Sequence, residues 1–129
     1  MDQTPNRPEV VAEVAALFER YEQALIDVDV DVLDATFWAD PRTIRYAVHE
    51  NCYGFDAIHA ARLAMTKGGS KERRVRLEIL TLGADLATVN LEYIARGSGR
   101  IGRQSQTWVR LGGIGWKIVS AHVSLMPPA

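Results

Sequence analysis

The sequence predicts a single α+β domain in which three helices at the front of the chain close over one face of a curved, mainly antiparallel sheet. Three observations predict it. Apolar residues recur at three- and four-residue steps over much of the first half, four alternating segments fill the second half, and short turns divide those segments: Gly83-Ala84-Asp85, Gly97-Ser98-Gly99 and Gly112-Gly113. Turns that short join antiparallel neighbours, and helices gathered ahead of a meander can cover only one of its faces. With 129 residues, 47% of them hydrophobic and 24% charged, the chain can bury one core and has no room for a second. One domain over 1–129 is expected, with flexible ends at 1–7 and 127–129.

From Pro8 to about Val28 the residues Val10, Val14, Leu17, Phe18, Tyr21, Leu25 and Val28 form one apolar stripe, with Glu13, Glu19, Arg20 and Gln23 on the other side. Pro8 and Glu9 suit a first turn, which tolerates a missing N–H and favours negative charge. Asp29 can cap a second, shorter helix carrying Val30, Leu33 and Phe37 on one face, and Asp40-Pro41 ends it because a residue before proline avoids the helical region. Residues 42–48 are β-branched and aromatic enough for a strand, and His49-Glu50-Asn51 breaks it. Gly54 introduces a third helix with Phe55, Ile58, Ala61, Leu63 and Met65 as its apolar set, stopped by Gly68-Gly69. Strands are expected over roughly 72–82, 86–96, 101–111 and 115–125, the Lys71 to Arg76 charge run being a solvated strand start.

Composition excludes several function classes. Lys and Arg number 15 against 16 Asp and Glu, so no global field attracts nucleic acid or an acidic membrane surface. Cys52 stands alone, which rules out an internal disulfide and fits a reducing cytoplasm. No basic segment followed by an apolar run opens the chain, and nowhere do eighteen apolar residues occur in succession. His49, His59 and His122 lack the spacing of common metal motifs, so neither a metal nor another cofactor is expected. The glycine clusters join strands to strands and read as turns, not phosphate loops.

Candidate chemistry rests on a few polar residues in apolar surroundings. Tyr21 lies in the buried stripe of the first helix, where its hydroxyl needs a partner: a backbone carbonyl if the residue is only core, a ligand if it lines a pocket. Arg45 shares a strand face with Thr43 and Ala47; facing outward it is a solvated charge, facing inward a fixed cation able to bind a carboxylate through two parallel hydrogen bonds. Gln104, Gln106 and Trp108 share one face, as a ligand wall or as a wet sheet surface with one covering indole. Strict alternation puts Trp116, Ile118, Ser120, His122 and Ser124 on one face of the last strand, opposite Val119, Ala121, Val123 and Leu125. His122 and Ser124 are neighbours there, but no third residue or oxyanion hole accompanies them.

The helix-helix-strand-helix opening followed by four strands resembles the cone-shaped half-barrel superfamily of nuclear transport factor two, the SnoaL polyketide cyclases and the steroid isomerases. Phe37-Trp38, Asp40-Pro41-Arg42-Thr43, Arg45-Tyr46, Tyr53-Gly54, Gly102-Arg103-Gln104-Ser105-Gln106-Thr107-Trp108-Val109-Arg110 and Ala121-His122-Val123-Ser124-Leu125-Met126 together resemble the AtzH-like family. Ala47, where glycine is expected, and Cys52, where a larger apolar residue is expected, depart from the pattern. The resemblance implies catabolism of cyanuric acid and related ureides, with loss of one carboxylate from dicarboxyurea to give allophanate. It implies a catalytic tyrosine and arginine, which fall on Tyr21 and Arg45; from the strand faces described above, Gln104, Gln106, His122 and Ser124 are then candidates to hold the substrate.

Two other readings use the same fold. One is a ketone isomerase with a tyrosine donor and Asp40 as base, although Asp40 before Pro41 reads more simply as a turn residue. The other is a small-acid-binding or association domain, since the Gln104 to Trp108 segment and the His122-Val123-Ser124 ending also resemble the association domain of calcium/calmodulin-dependent kinases. For the ureide reading the expected partners are a small anionic substrate and a second copy of the chain, joined as a homodimer or higher oligomer through the sheet, with no nucleic acid and no membrane.

Overall fold

The computed structural model describes residues 2–129. Helices α1 (Pro8–Asp27) and α2 (Val30–Thr36) precede strands β1 (Ile44–Tyr46) and β2 (Asn51–Tyr53); helix α3 (Phe55–Leu63) then leads into β3 (Lys71–Leu82), β4 (Leu86–Ala95), β5 (Ile101–Leu111) and β6 (Gly115–Leu125). The six strands form one sheet in the order β2-β1-β6-β5-β4-β3, antiparallel throughout except where β1 runs parallel to β6. The helices cover one of its faces. This is the α+β cone-shaped half-barrel that the sequence predicts. No helix among the described residues is long and apolar enough to cross a membrane.

The core is the meeting of the helical stripes with the inward side chains of β4, β5 and β6. Val14 and Phe18 of α1, Leu33 of α2, Ile58 of α3, Trp108 of β5 and Ile118 of β6 have no measurable exposure. A side chain of the size of Phe, Leu or Ile buried this completely contributes about 1.5–3 kcal/mol. The α1 stripe therefore decides how the helix rolls against the sheet, and Tyr21, three residues beyond Phe18, follows it inward.

The boundaries differ from the sequence pattern at four places, each for a local reason. Helix α2 stops at Thr36, ahead of Asp40-Pro41, because Phe37 turns extended and pairs with Ile118, after which the Trp38 N–H donates to the Ile118 carbonyl. The expected 42–48 strand is shorter and belongs to a hairpin: Arg45 pairs with Cys52, and the Ala47 N–H donates to the Glu50 carbonyl to close the turn. Helix α3 ends at Leu63, with Leu63 itself exposed, and residues 64–70 cross as a loop; a Cβ on Gly68 would overlap the Leu25 and Ile26 carbonyls. Residues 4–6, expected to be loose, lie along β3. Pro5 bridges Leu82, Asn6 exchanges backbone and side-chain bonds with Thr81, and Gly83 N–H donates to the Thr4 carbonyl. Met1 of that segment lies outside the described residues.

The last strand departs from strict alternation. Thr107 pairs with Ser120 but Trp108 pairs with Ile118, so Val119 is the extra residue of a β-bulge. The bulge reverses facing along β6: Ile118 is buried under the helices and Trp116 donates its indole N–H to Glu13 of α1, on the same side as Ala121 and Val123, while His122 and Ser124 turn to the opposite face. Asp29 caps α2 by accepting from the Val32 N–H at 3.3 Å. Asp29→Ala is expected to cost about 0.5–2 kcal/mol, read as a lower urea midpoint at unchanged slope.

Candidate functional site

Between the helices and the sheet lies a cavity of about 450 Å³, within the range that holds small-molecule ligands. Tyr21 reaches it from α1, Arg45 from β1, Arg62 from α3, Lys71 from β3, Tyr93 from β4, and Gln104 and Gln106 from β5. Among the described residues, four cationic side chains line it, Arg45, Arg62, Lys71 and Arg96, against one carboxylate, Glu50.

Tyr21 is 4% exposed, and its ring packs against Phe37 with centroids 5.8 Å apart. Its hydroxyl oxygen accepts a hydrogen bond from Arg62 Nη2 at 2.7 Å. Guanidinium has donors only, so this bond uses a lone pair of the hydroxyl and leaves its proton free to be given into the cavity. Arg62 is 1% exposed and lies over the rings of Tyr21 and Phe37, at 5.7 and 5.5 Å from their centroids. Arg45 points into the same cavity, its Nη1 donating to Glu50 Oε1 at 3.1 Å; its side chain is 16% exposed and that of Glu50 is 49% exposed.

The two glutamines are oriented by partners that allow one reading each. Trp108 Nε1 donates to Gln106 Oε1 at 2.9 Å, and an indole N–H cannot accept, so the Gln106 amide nitrogen is the end left for the cavity. Gln104 Nε2 donates to the Glu22 carboxylate at 3.2 Å, so its carbonyl oxygen is left. Side by side, the two residues present a donor and an acceptor on one wall.

Behind Gln104 sits a buried ion pair. Lys71 Nζ donates to Glu22 Oε2 at 3.4 Å, Arg74 adds a longer contact at 3.9 Å, and Lys71 rests over the Tyr93 ring at 5.2 Å from its centroid. Burial holds the Lys71 ammonium below the ordinary lysine value; Glu22 opposes this, and the nearby charges of Arg74 and Arg62 add to it. Burial, helped by the Glu22 charge, pushes the Tyr93 phenol above its ordinary value. Gly102, paired with Tyr93, has no Cβ to obstruct the ring lying across it.

Of the residues the sequence singled out, the structure brings Tyr21, Arg45, Gln104 and Gln106 together on this cavity. His122 and Ser124 are not there. They lie on the opposite sheet face because of the bulge, His122 edge-on to Tyr46 at 5.4 Å and Ser124 accepting from Arg103. Asp40, the base of the isomerase reading, also lies away from the cavity, paired with Arg42, which holds its carboxyl below the usual range. Sequence reasoning passed over Arg62, Glu22 and Lys71. Arg62 follows Ile58 by four and Glu22 follows Phe18 by four, so both sit on the buried stripes that were read from apolar residues alone. Lys71 turns inward at the head of a run whose other charges are solvated, as the sequence led one to expect.

Comparison with solved structures places relatives around this geometry. A cystatin-like fold protein from Burkholderia xenovorans LB400 is 41% identical over 97% of this chain and 99% of its own, with a TM-score of 0.91. A protein of unknown function from Pectobacterium atrosepticum SCRI1043 is 47% identical over 95% of each chain, with a TM-score of 0.90. A nuclear transport factor two-like protein of unknown function from Pseudomonas putida KT2440 shares the fold at 22% identity and a TM-score of 0.77, over 92% of this chain and 87% of its own. No curated protein matches the chain. The sequence model of the AtzH-like proteins matches residues 3–129, and the chain belongs to the AtzH-like family.

Proposed function

We propose that the cavity binds a small anionic ureide and removes one carboxylate from it, as in the conversion of an N-carboxylated urea such as 1,3-dicarboxyurea to allophanate. The observation that carries this reading is the Tyr21 hydroxyl, pinned by Arg62 with its proton free, in a cavity lined by cations. Loss of carbon dioxide from an N-carboxylate needs two things: a hold on the carboxylate, and a proton at the nitrogen that takes the electron pair of the breaking C–N bond. Arg45 supplies the first as a planar fork suited to carboxylate. Tyr21 supplies the second as general acid; its phenolate, left beside Arg62, regains a proton from water.

The Gln104 carbonyl and the Gln106 amide add recognition of the substrate's middle. A ureide presents an N–H and a C=O side by side, complementary to that acceptor and donor. An apolar ketone would leave the remaining ends of both amides and the Arg62 guanidinium without a partner, which disfavours the isomerase reading.

Measuring carbon dioxide release from a panel of N-carboxylated ureas tests the proposal. Turnover of at least one member is expected, and none by the pure, folded protein would sink it. Arg45→Lys keeps the charge but loses the second parallel hydrogen bond, so it is expected to raise KM about tenfold or more, with a smaller effect on kcat.

A further inference from the structure

Arg62 differs from the other buried or half-buried cations of the cavity. Arg45 has Glu50 and Lys71 has Glu22, whereas Arg62, at 1% exposure, has no carboxylate within ion-pair distance among the described residues. Its Nε has no hydrogen-bond partner, one nitrogen meets the Met65 sulfur at 3.8 Å, and its one strong acceptor is the neutral Tyr21 hydroxyl. A buried guanidinium without a counter-charge is costly, and the aromatic faces of Tyr21 and Phe37 offset only part of that cost. A bound anion would supply what the protein withholds.

We propose that Arg62 is a second anion anchor, so that the cavity selects ligands carrying a carboxylate at each end: Arg45 on the sheet wall takes one and Arg62 on the helix wall takes the other. This rests on the ureide reading and narrows it to dianions. A monoanion taken by Arg62 leaves Arg45 with Glu50 alone, and one taken by Arg45 leaves Arg62 without a counter-charge.

The test uses glutarate, an unreactive dianion with the same number of atoms between its carboxylates as 1,3-dicarboxyurea, and butyrate, which lacks one carboxylate. Affinities are measured by calorimetry for the wild type, Arg62→Met and Arg62→Lys. The wild type is expected to prefer glutarate to butyrate, and Arg62→Met to lose about tenfold to about a hundredfold in glutarate affinity together with most of that preference, the effect of removing a charge-assisted hydrogen-bonded contact. Should Arg62→Met fail to fold, Arg62→Lys carries the test, with a loss of about tenfold expected from the missing fork. Undiminished glutarate affinity overturns the proposal, as does an equal loss for both ligands, the signature of a merely structural role. Carbon dioxide release fails independently: a wild type that turns over no carboxylated urea yet binds glutarate through Arg62 defeats the reaction and leaves the dianion site standing.

Discussion

Tyr21→Phe is expected to lower carbon dioxide release by about 10²–10⁴-fold, the usual contribution of a positioned general acid, while substrate affinity changes little. The expectation follows from what the substitution removes. Phenylalanine keeps the ring, and with it the contact to Phe37 and the face beneath Arg62, so the core loses one hydroxyl and one hydrogen bond from Arg62 Nη2. The carboxylate fork of Arg45 and the amides of Gln104 and Gln106 stay in place, and these carry binding. Single-turnover measurement separates the outcomes. A fall in the chemical step with an unchanged Kd identifies a proton donor, an equal rise in Kd identifies a binding group, and full activity removes Tyr21 from the reaction altogether.

Spacing accounts for only part of what was read at Tyr21 and Arg45. A helical step from Phe18 turns Tyr21 inward, whereas sharing a strand face with Thr43 and Ala47 left Arg45 free to look either way, and it was the resemblance to the AtzH-like family that singled out both. The four long strands were legible to within a residue or so because glycine turns bound them and each has ten or more residues over which to average. Where the pattern misled, a tertiary contact intervened. Strand β2 has three residues and exists because β1 offers it an edge, and helix α2 gives up Phe37 because the Ile118 backbone competes for it.

The bulge at Val119 is the most instructive case. Alternation is a statement about parity, and one extra residue inverts every facing beyond it, so a single strand read as uniform placed His122 and Ser124 with Ile118 when they lie across the sheet from it. No residue near Val119 advertises the insertion; it is fixed by pairing with β5. The polar members of the site were hidden for a different reason. Arg62 and Glu22 occupy positions where the helical period demands burial, and a search for apolar stripes passes over a charge in such a place. A charged residue interrupting a buried stripe is the signal that would have found both.

Glu22→Leu is expected to cost about 3–5 kcal/mol of stability near neutral pH, the usual result of removing one partner from a buried ion pair. The Glu22 side chain is 8% exposed and that of Lys71 17%, so neither can turn to water without moving its helix or strand. Leucine leaves Lys71 with Tyr93, Arg74 and Arg62 around it and no anion, and leaves the Gln104 amide nitrogen without an acceptor. The loss has a ceiling, because Lys71 can shed its proton: from pH 7 to the ordinary lysine value of 10.5, at 1.36 kcal/mol per unit, that escape costs about 5 kcal/mol. The sign with pH follows. A lysine whose folded value lies below its unfolded one binds fewer protons folded than unfolded within that window, so stability rises as pH rises through it. Losing Glu22 removes the influence that raises Lys71, which deepens the depression and extends the window downward, so the penalty in Glu22→Leu should shrink from neutral pH upward, levelling off where wild-type Lys71 also sheds its proton short of pH 10.0. Above that value Tyr93 and Tyr46, whose phenols are held above their ordinary 10.0, contribute in the opposite sense, so the reading stops there. Urea denaturation of the wild type, Glu22→Leu and Glu22→Leu/Lys71→Met at several pH values decides the matter. The double variant should recover most of the loss and, lacking Lys71, lose the pH dependence, whereas a penalty that ignores both pH and the second substitution would mean that Glu22 stabilises the fold through packing and Gln104 alone.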